Sequence, residues 1–339
     1  MSAIPTPKAD GFFMPAEWHP HERTWMMWPC RDCLWDDIGR TRRAYADVAH
    51  AIRRFEPVTV VVPPRCEVEA RGILGADIDL LIVPIDDSWC RDAGPCFLID
   101  GKGSRAGVSF RFNAWGEKYA PYDKDDVAAR LILEAAGVPC YESRLIAEGG
   151  GVAVDGEGSV LTTRSCFPND NRNPDWSEAD IERELKRNLG ADKVIWLPGN
   201  SREVETDGHV DGIAAFVAPG KVLVEGAGSD KHPFHDINRA NIEALIGQTD
   251  AKGRPIEIIE IPDAEAYRSD DERFCRSYVN SYLVNGGMIV PRYDIPEDAL
   301  VREMYEELFP ERDIVMVEIK DIAPGGGGIH CITQQEPAA

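Results

Sequence analysis

This sequence predicts an α/β fold: a ring of five ββαβ units, closed by pairing the two ends of the chain. Three observations predict it. A succession of strand, turn, strand, helix and strand recurs four times along the 339 residues. The first round lacks one strand of its hairpin, while an unpartnered strand is left over near the far end, so the two ends together complete one unit. Closing the ring satisfies every sheet edge, which an open array of the same units does not.

The first dozen residues, with Pro5 and Pro7, read as irregular. Thr24–Trp28 reads as a buried strand ended by Pro29. From Asp36 to about Phe55 the spacing of Ile38, Tyr45, Val48, Ala49 and Ile52 fits a helix capped by an aspartate. Val58–Val62, all β-branched, is a strand stopped by Pro63-Pro64. The second round runs through Cys96–Ile99, the turn Asp100-Gly101, a strand over about Gly107–Phe112, a helix over about Lys124–Ala136 and a short strand Val138–Tyr141. The third uses Gly151–Val154, Asp155-Gly156, Ser159–Thr163, a helix Ser177–Leu189 and the strand Lys193–Leu197. The fourth uses Val210–Val217, Pro219-Gly220, Val222–Glu225, a helix over about Pro233–Ile246 and Ile256–Ile261. The fifth uses Tyr278–Val284, Asn285-Gly286, Met288–Pro291, a helix Pro296–Phe309 and Ile314–Ile319. Ile329–Gln335 is the lone strand left to close the ring. No dinucleotide fingerprint competes, because Gly149-Gly150-Gly151 and Gly156-x-Gly158 flank a hairpin instead of opening a helix.

An apolar share of 43% suits one enzyme-sized globular unit, expected over about residues 12–336 behind an irregular segment 1–11. The balance of 37 basic against 59 acidic residues, net −22, argues against nucleic acid or an anionic membrane as partner and favours small cations. Nine scattered cysteines, an odd number, read as reduced thiols. With no apolar leader and no apolar run of roughly 18 residues, the expected location is the cytoplasm. Cys30-x-x-Cys33 is half a zinc site without a second pair at zinc-finger spacing, so no metal is expected there.

In a ring of repeats, the residues just before the first strand of each hairpin face the common axis. They are Trp89-Cys90-Arg91-Asp92, Glu148-Gly149-Gly150, Asp207 to Asp211, Arg276 to Asn280, and His330-Cys331. An acidic residue before a strand is ordinarily a turn or cap residue, His209 and Asp211 make an ordinary structural pair if they share one strand face, and a lone cysteine is ordinarily a small hydrophobe. Their shared register is what joins Asp92, Glu148, His209, Asp211 and Cys331 into one candidate site. Carboxylates around a thiol would repel the oxyanion of a papain-like protease. They suit a planar, bidentate cation, above all a guanidinium. The set therefore points to a thiol attacking a cationic amidine-type carbon.

Several motifs carry a family resemblance. Glu17-Trp18-x-Pro20-His21-x-x-Thr24, Trp89-x-Arg91-Asp92-x-Gly94-Pro95, Phe112-Asn113-Ala114-Trp115-Gly116, Glu148-Gly149-Gly150, Asn171-Arg172-Asn173-Pro174, Gly208-His209-Val210-Asp211 and the stretch from Gly326 to Gln335 resemble the agmatine deiminases. That family stands beside the bacterial-type peptidylarginine deiminases in the guanidine-modifying pentein superfamily. The resemblance implies a five-bladed pseudo-symmetric α/β propeller that hydrolyses agmatine to N-carbamoylputrescine and ammonia without metal or organic cofactor, in a chain that assembles into a homo-oligomer. It also implies that Cys331 is the nucleophile, His209 the general acid and base, Asp92 and Asp211 the guanidinium ligands and Glu148 the partner of the histidine. Trp89, Arg91, Trp115 and Gly328 fall at the substrate in the same motifs. Deimination of peptidyl-arginine or free arginine, or a non-catalytic guanidine-binding propeller, are the alternative readings. The chain departs from the family at the pocket rim: a short segment Leu197–Asp207, Thr-Asp before Gly-His, Gly212 after Asp211, Cys90 inside its motif and Phe167-Pro168-Asn169-Asp170 before the Asn-Arg-Asn-Pro motif. Pro324 and the four glycines after it are expected to bring the chain back to the axis, with His330-Cys331 entering the closing strand.

Overall fold

Five small sheets stand in a ring, and the two ends of the chain share one of them. The computed structural model describes residues 5–339. Residues 1–4, part of the segment expected to be irregular, lie outside the described residues. The segment that follows is a run of turns tied down at Lys8, whose amide donates to the Arg187 carbonyl at 3.1 Å.

The first blade contains β1 (His21–Met27), α1 (Ile38–Arg53) and β2 (Val58–Val62). Asp37 is the capping aspartate, accepting from the Arg40 amide at 3.1 Å. After Pro63-Pro64 the chain adds a helix, α2 (Glu67–Leu74), and a strand, β3 (Asp79–Ile82), that the sequence pattern did not announce. Only Ala70 and Leu74 of α2 are buried and no residue of β3 is fully buried, so neither element carries the apolar periodicity that marks the others.

The next four blades repeat one plan: an antiparallel hairpin, a crossover helix and a third strand parallel to the second. They are β4 (Cys96–Ile99), β5 (Arg105–Arg111), α3 (Ala128–Ala136) and β6 (Cys140–Ile146); then β7 (Ala153–Val154), β8 (Ser159–Thr163), α4 (Glu178–Leu189) and β9 (Lys193–Leu197). There follow β10 (Ala214–Ala218), β11 (Lys221–Glu225), α5 (His235–Leu245) and β12 (Glu257–Ile261), and finally β13 (Tyr282–Val284), β14 (Gly287–Arg292), α6 (Glu297–Leu308) and β15 (Asp313–Glu318). Ser177 starts α4 with a reciprocal capping box to Asp180.

Closure comes from β16 (Thr333–Pro337), which pairs antiparallel with β1, Thr24 facing Gln335 and Met26 facing Thr333. The expected closure by the termini therefore holds. Two of its details do not. Residues 329–332 form a tight turn ahead of the strand, so Cys331 enters from the turn and not from the strand itself. Val210 to Gly212 form a single 3-10 turn before β10, so His209 and Asp211 owe their proximity to that turn and not to strand alternation. In both cases the backbone must curl toward the axis before it can pair.

No helix among the described residues is long and apolar enough to cross a membrane.

Candidate active site

Three short turns meet at the axis: Cys90–Ala93 ahead of β4, Gly149–Gly151 ahead of β7 and Val210–Gly212 ahead of β10. The turn bearing Cys331 joins them, because the Arg91 amide donates to the Cys331 carbonyl at 3.1 Å. Gly150 sits among the side chains they carry. A Cβ there would lie 2.6 Å from His209 Nδ1 and 2.7 Å from Asp92 Oδ1, so only glycine fits. Gly327 is constrained likewise, since a Cβ would run into the Trp89 ring and the Cys331 side chain. The glycine run is thus packed, with Gly325 on Trp35, Gly327 on Trp89 and Gly328 on Asn280.

The five residues expected at one site are brought together. Cys331 Sγ lies 3.6 Å from Asp211 Oδ2. His209 points Nδ1 at Asp92 Oδ1 at 3.6 Å and Nε2 at Glu148 Oε2 at 3.5 Å. Both contacts are longer than hydrogen bonds, and neither ring nitrogen has a partner among the described residues although the ring is only 3% exposed. The carboxylates are close enough to act through charge. Asp92 Oδ1 accepts from the Gly150 amide at 2.9 Å and Oδ2 from Trp115 Nε1 at 2.9 Å. Trp115 reaches it from a left-handed bend in which Ala114, Trp115 and Glu117 have φ of 52°, 56° and 61°. Such residues cost about 1–3 kcal/mol each and mark a place where geometry outranks comfort.

Burial and the neighbouring Asp211 and Asp92 push the Cys331 thiol well above its ordinary value, so the sulfur rests as a thiol. Burial disfavours the imidazolium of His209, but its neighbours, Asp92 first, outweigh it and hold the ring protonated well above the usual histidine range. Burial likewise opposes charge on Glu148, yet Arg172 and His209 hold its carboxyl down to about 2. Asp92 is pushed up to about 6 by burial and by the nearby Asp211 and Glu148, against the pull of His209. Burial works against charge on Asp211 too, but His330 keeps it ionised.

A cavity of about 570 Å³ opens on His209, Asp211 and Cys331. A narrower slot lined by Leu34, Trp89, Asp92, Trp115 and Tyr119 also ends at Cys331. Trp89 and Trp115 therefore line this slot, and the Gly328 amide faces the sulfur. Arg91 is not brought to either space. Its guanidinium is taken up by Gln335 Oε1 at 2.8 Å, the His330 carbonyl at 3.3 Å and Glu17 at 3.6 Å. The acidic segment from Asp263 to Glu272 borders the wide cavity. His232 is buried on that wall, 3.0 Å from Asp263. Cys30 is buried and Cys33 exposed, and all nine cysteines are free.

Other members of the site carried no assignment from the sequence. Asn280 donates to Cys331 Sγ at 3.2 Å and accepts from the His330 amide at 3.0 Å, fixing the turn that aims the sulfur. It stands two residues before β13, much as Asp211 stands three before β10, which is the signal that could have singled it out. His330 bridges Asp211 and Glu17 at 2.8 Å each. Arg172 ties Glu148 at 2.9 Å and also pairs with Asp207, which itself holds φ of 61° ahead of Gly208. Both Glu17 and Arg172 lie in quoted motifs, but the charged groups they pair with lie more than twenty positions away.

The sequence pattern of the family described as Porphyromonas-type peptidyl-arginine deiminase matches residues 13–337. An agmatine deiminase of Pseudomonas aeruginosa (strain LESB58) is 43% identical, the match covering 98% of this chain and 97% of the relative. One from Ectopseudomonas mendocina is 42% identical over the same shares. Among solved structures, the agmatine deiminase of Enterococcus faecalis superposes with a TM-score of 0.95 at 37% identity, covering 99% of this chain and 98% of that one.

Proposed function

The chain belongs to the Porphyromonas-type peptidyl-arginine deiminase family, and on that premise we propose that it hydrolyses agmatine to N-carbamoylputrescine and ammonia, with Cys331 as nucleophile. The observation that carries the reading is the thiol of Cys331 set beside Asp211 and across from Asp92, with an unpartnered His209 between Asp92 and Glu148. Two buried carboxylates there suit a guanidinium and repel an oxyanion.

The guanidinium enters between Asp92 and Asp211 along the Trp89 and Trp115 rings. Its charge neutralises the two groups that hold the Cys331 proton in place, so substrate binding itself favours the thiolate, and the thiol proton leaves to solvent. Sulfur bonds to the guanidinium carbon while the His209 imidazolium gives its proton to the departing nitrogen, and ammonia leaves an S-alkylthiouronium. The same ring, now neutral, takes a proton from water as its oxygen bonds to that carbon. The C–S bond then breaks, releasing the urea product and the thiol. Glu148, fixed by Arg172, favours the charged ring, while Arg91 acts from behind the site by holding the turn before β16.

Agmatine carries an ammonium where arginine carries an α-carboxylate. The wide cavity is lined by eight carboxylate side chains against four arginines. Arg202, Arg273 and Arg276 are already bonded within the chain. Agmatine is therefore expected to exceed arginine in kcat/KM by at least about 10²-fold, because the carboxylate would be buried among like charges. Parallel ammonia-release assays check this, and equal efficiency with arginine or an arginyl peptide would overturn the substrate assignment.

Asp92 must be ionised to take the guanidinium, and its folded value lies near 6, above the ordinary aspartate range. Activity is thus present above that value and lost below it. The free-enzyme profile of kcat/KM is expected to fall about tenfold per pH unit below about 6. A profile flat to pH 5 contradicts the role given to Asp92. Residues 12–336 then act as one catalytic unit, and the net charge of −22 fits a cytoplasmic enzyme of small cations that engages neither nucleic acid nor membrane.

A further inference from the structure

Cys166 is a buried thiol at the edge of the site for which deimination has no use. It follows β8 and packs with Phe167 in the core between the second and third blades, out of reach of the substrate cavity. Its Sγ lies 3.9 Å from Glu148 Oε2, which is 3.5 Å from His209 Nε2, and the three donor atoms fall within 4.8 Å of one another. Tetrahedral zinc, with Zn–S of about 2.3 Å and Zn–N and Zn–O of about 2.0 Å, sets its donors about 3.3–3.5 Å apart. Side-chain rotations of about 1 Å would bring the three into that geometry.

The surroundings fit an ion as well. One sulfur, one imidazole nitrogen and one carboxylate oxygen make a zinc donor set with a fourth position open. His209 Nε2 has no hydrogen-bond partner to give up. Its Nδ1 faces Asp92, an outer carboxylate of the kind that orients a metal-bound imidazole. The second oxygen of Glu148 is already fixed by Arg172 Nε at 2.9 Å. A divalent ion with one thiolate and one carboxylate is electrically neutral, so it can sit beside the Arg172 guanidinium without repulsion. His209 lines the cavity, which gives the ion a way in.

We propose that Glu148, Cys166 and His209 form a zinc site whose occupation switches the enzyme off. On binding, the Cys166 S–H bond and the His209 Nε2–H bond break, both protons go to solvent, and sulfur and nitrogen bond to zinc, with no change of oxidation state. The lone pair of His209 Nε2 is then committed to the metal and cannot move protons. That inhibitory consequence rests on the catalytic role proposed for His209; the binding itself does not.

Metal-stripped protein titrated with Zn²⁺ by calorimetry, and with Co²⁺ by absorption, tests the site. One ion per chain is expected, with a thiolate-to-cobalt band in the near ultraviolet. Cys331→Ser is expected to keep both the stoichiometry and the band. Cys166→Ala, with Cys166→Ser as a second variant should the first fold poorly, is expected to lose the band and to bind at least about tenfold more weakly. Cys166→Ala should also turn over agmatine like the intact protein and need at least about tenfold more zinc for half-inhibition. A band lost in Cys331→Ser and kept in Cys166→Ala would overturn the proposal in favour of the nucleophile as ligand, and absence of binding to the intact protein at millimolar zinc would overturn it outright. Zinc bound through Cys166 to a protein without activity on agmatine would sink the deiminase reading and leave the site standing.

Discussion

Cys331→Ser is expected to lower kcat on agmatine by at least about 10⁴-fold while the protein melts within about 2 °C of the parent. The two halves of that result have separate causes. Serine nearly matches cysteine in size, and the hydrogen bonds that fix this turn run through the backbone amides of His330 and Cys331 to Asn280, which the change leaves alone. The loss of rate follows from acidity. Binding a cation between Asp92 and Asp211 can bring a thiol to ionise, but a hydroxyl starts several units higher and finds His209 already protonated. Steady-state assays beside thermal melts check both halves. A serine variant that turns over agmatine would remove covalent catalysis from the account.

Deleting residues 329–339 is expected to unfold the protein. All five residues of β16 are buried. With them go Glu336, which accepts from Trp25 Nε1 at 2.8 Å and pairs with Arg105, and Gln335, which holds Arg91. The deletion also removes Ile329 and Ile332, both fully buried. Loss of such a side chain costs about 2–5 kcal/mol, so the pair alone approaches the roughly 5–15 kcal/mol net stability of a domain. The exposed edge of β1 then invites association. No cooperative melt, or recovery only as aggregate, is the expected outcome beside an intact-chain control. Matching melts for the two chains would show that closure contributes little.

The repeat was legible because four of the five blades announce themselves twice, by a Gly-containing turn between apolar runs and by a helix of strong period. Val58–Val62, Ser159–Thr163 and Lys193–Leu197 fall where the pattern puts them. What the pattern missed are elements without an apolar face, α2 and β3, and the turns at the axis, where residues are chosen for what they touch across the ring. His209 and Asp211 looked like neighbours on a strand and are neighbours on a 3-10 turn. The candidate site was legible where the proposed chemistry demands a residue type, as with Cys331 and His209, which the fold brings to one cavity. Asn280, Arg172 and Cys166 were not, since an amide, a cation or a thiol at those positions acquires its meaning only from partners supplied by other blades.

The pairing of β1 with β16 also sets a schedule for biosynthesis. Residues 21–27 leave the ribosome some three hundred residues before their partner 333–337 exists. At about 5–20 residues per second that interval is about 15 to 60 s, during which one flank of β1 stays open and Cys331 has not yet been made. The nascent chain therefore carries a sticky edge without any catalytic activity, and both conditions end together when the closing strand emerges.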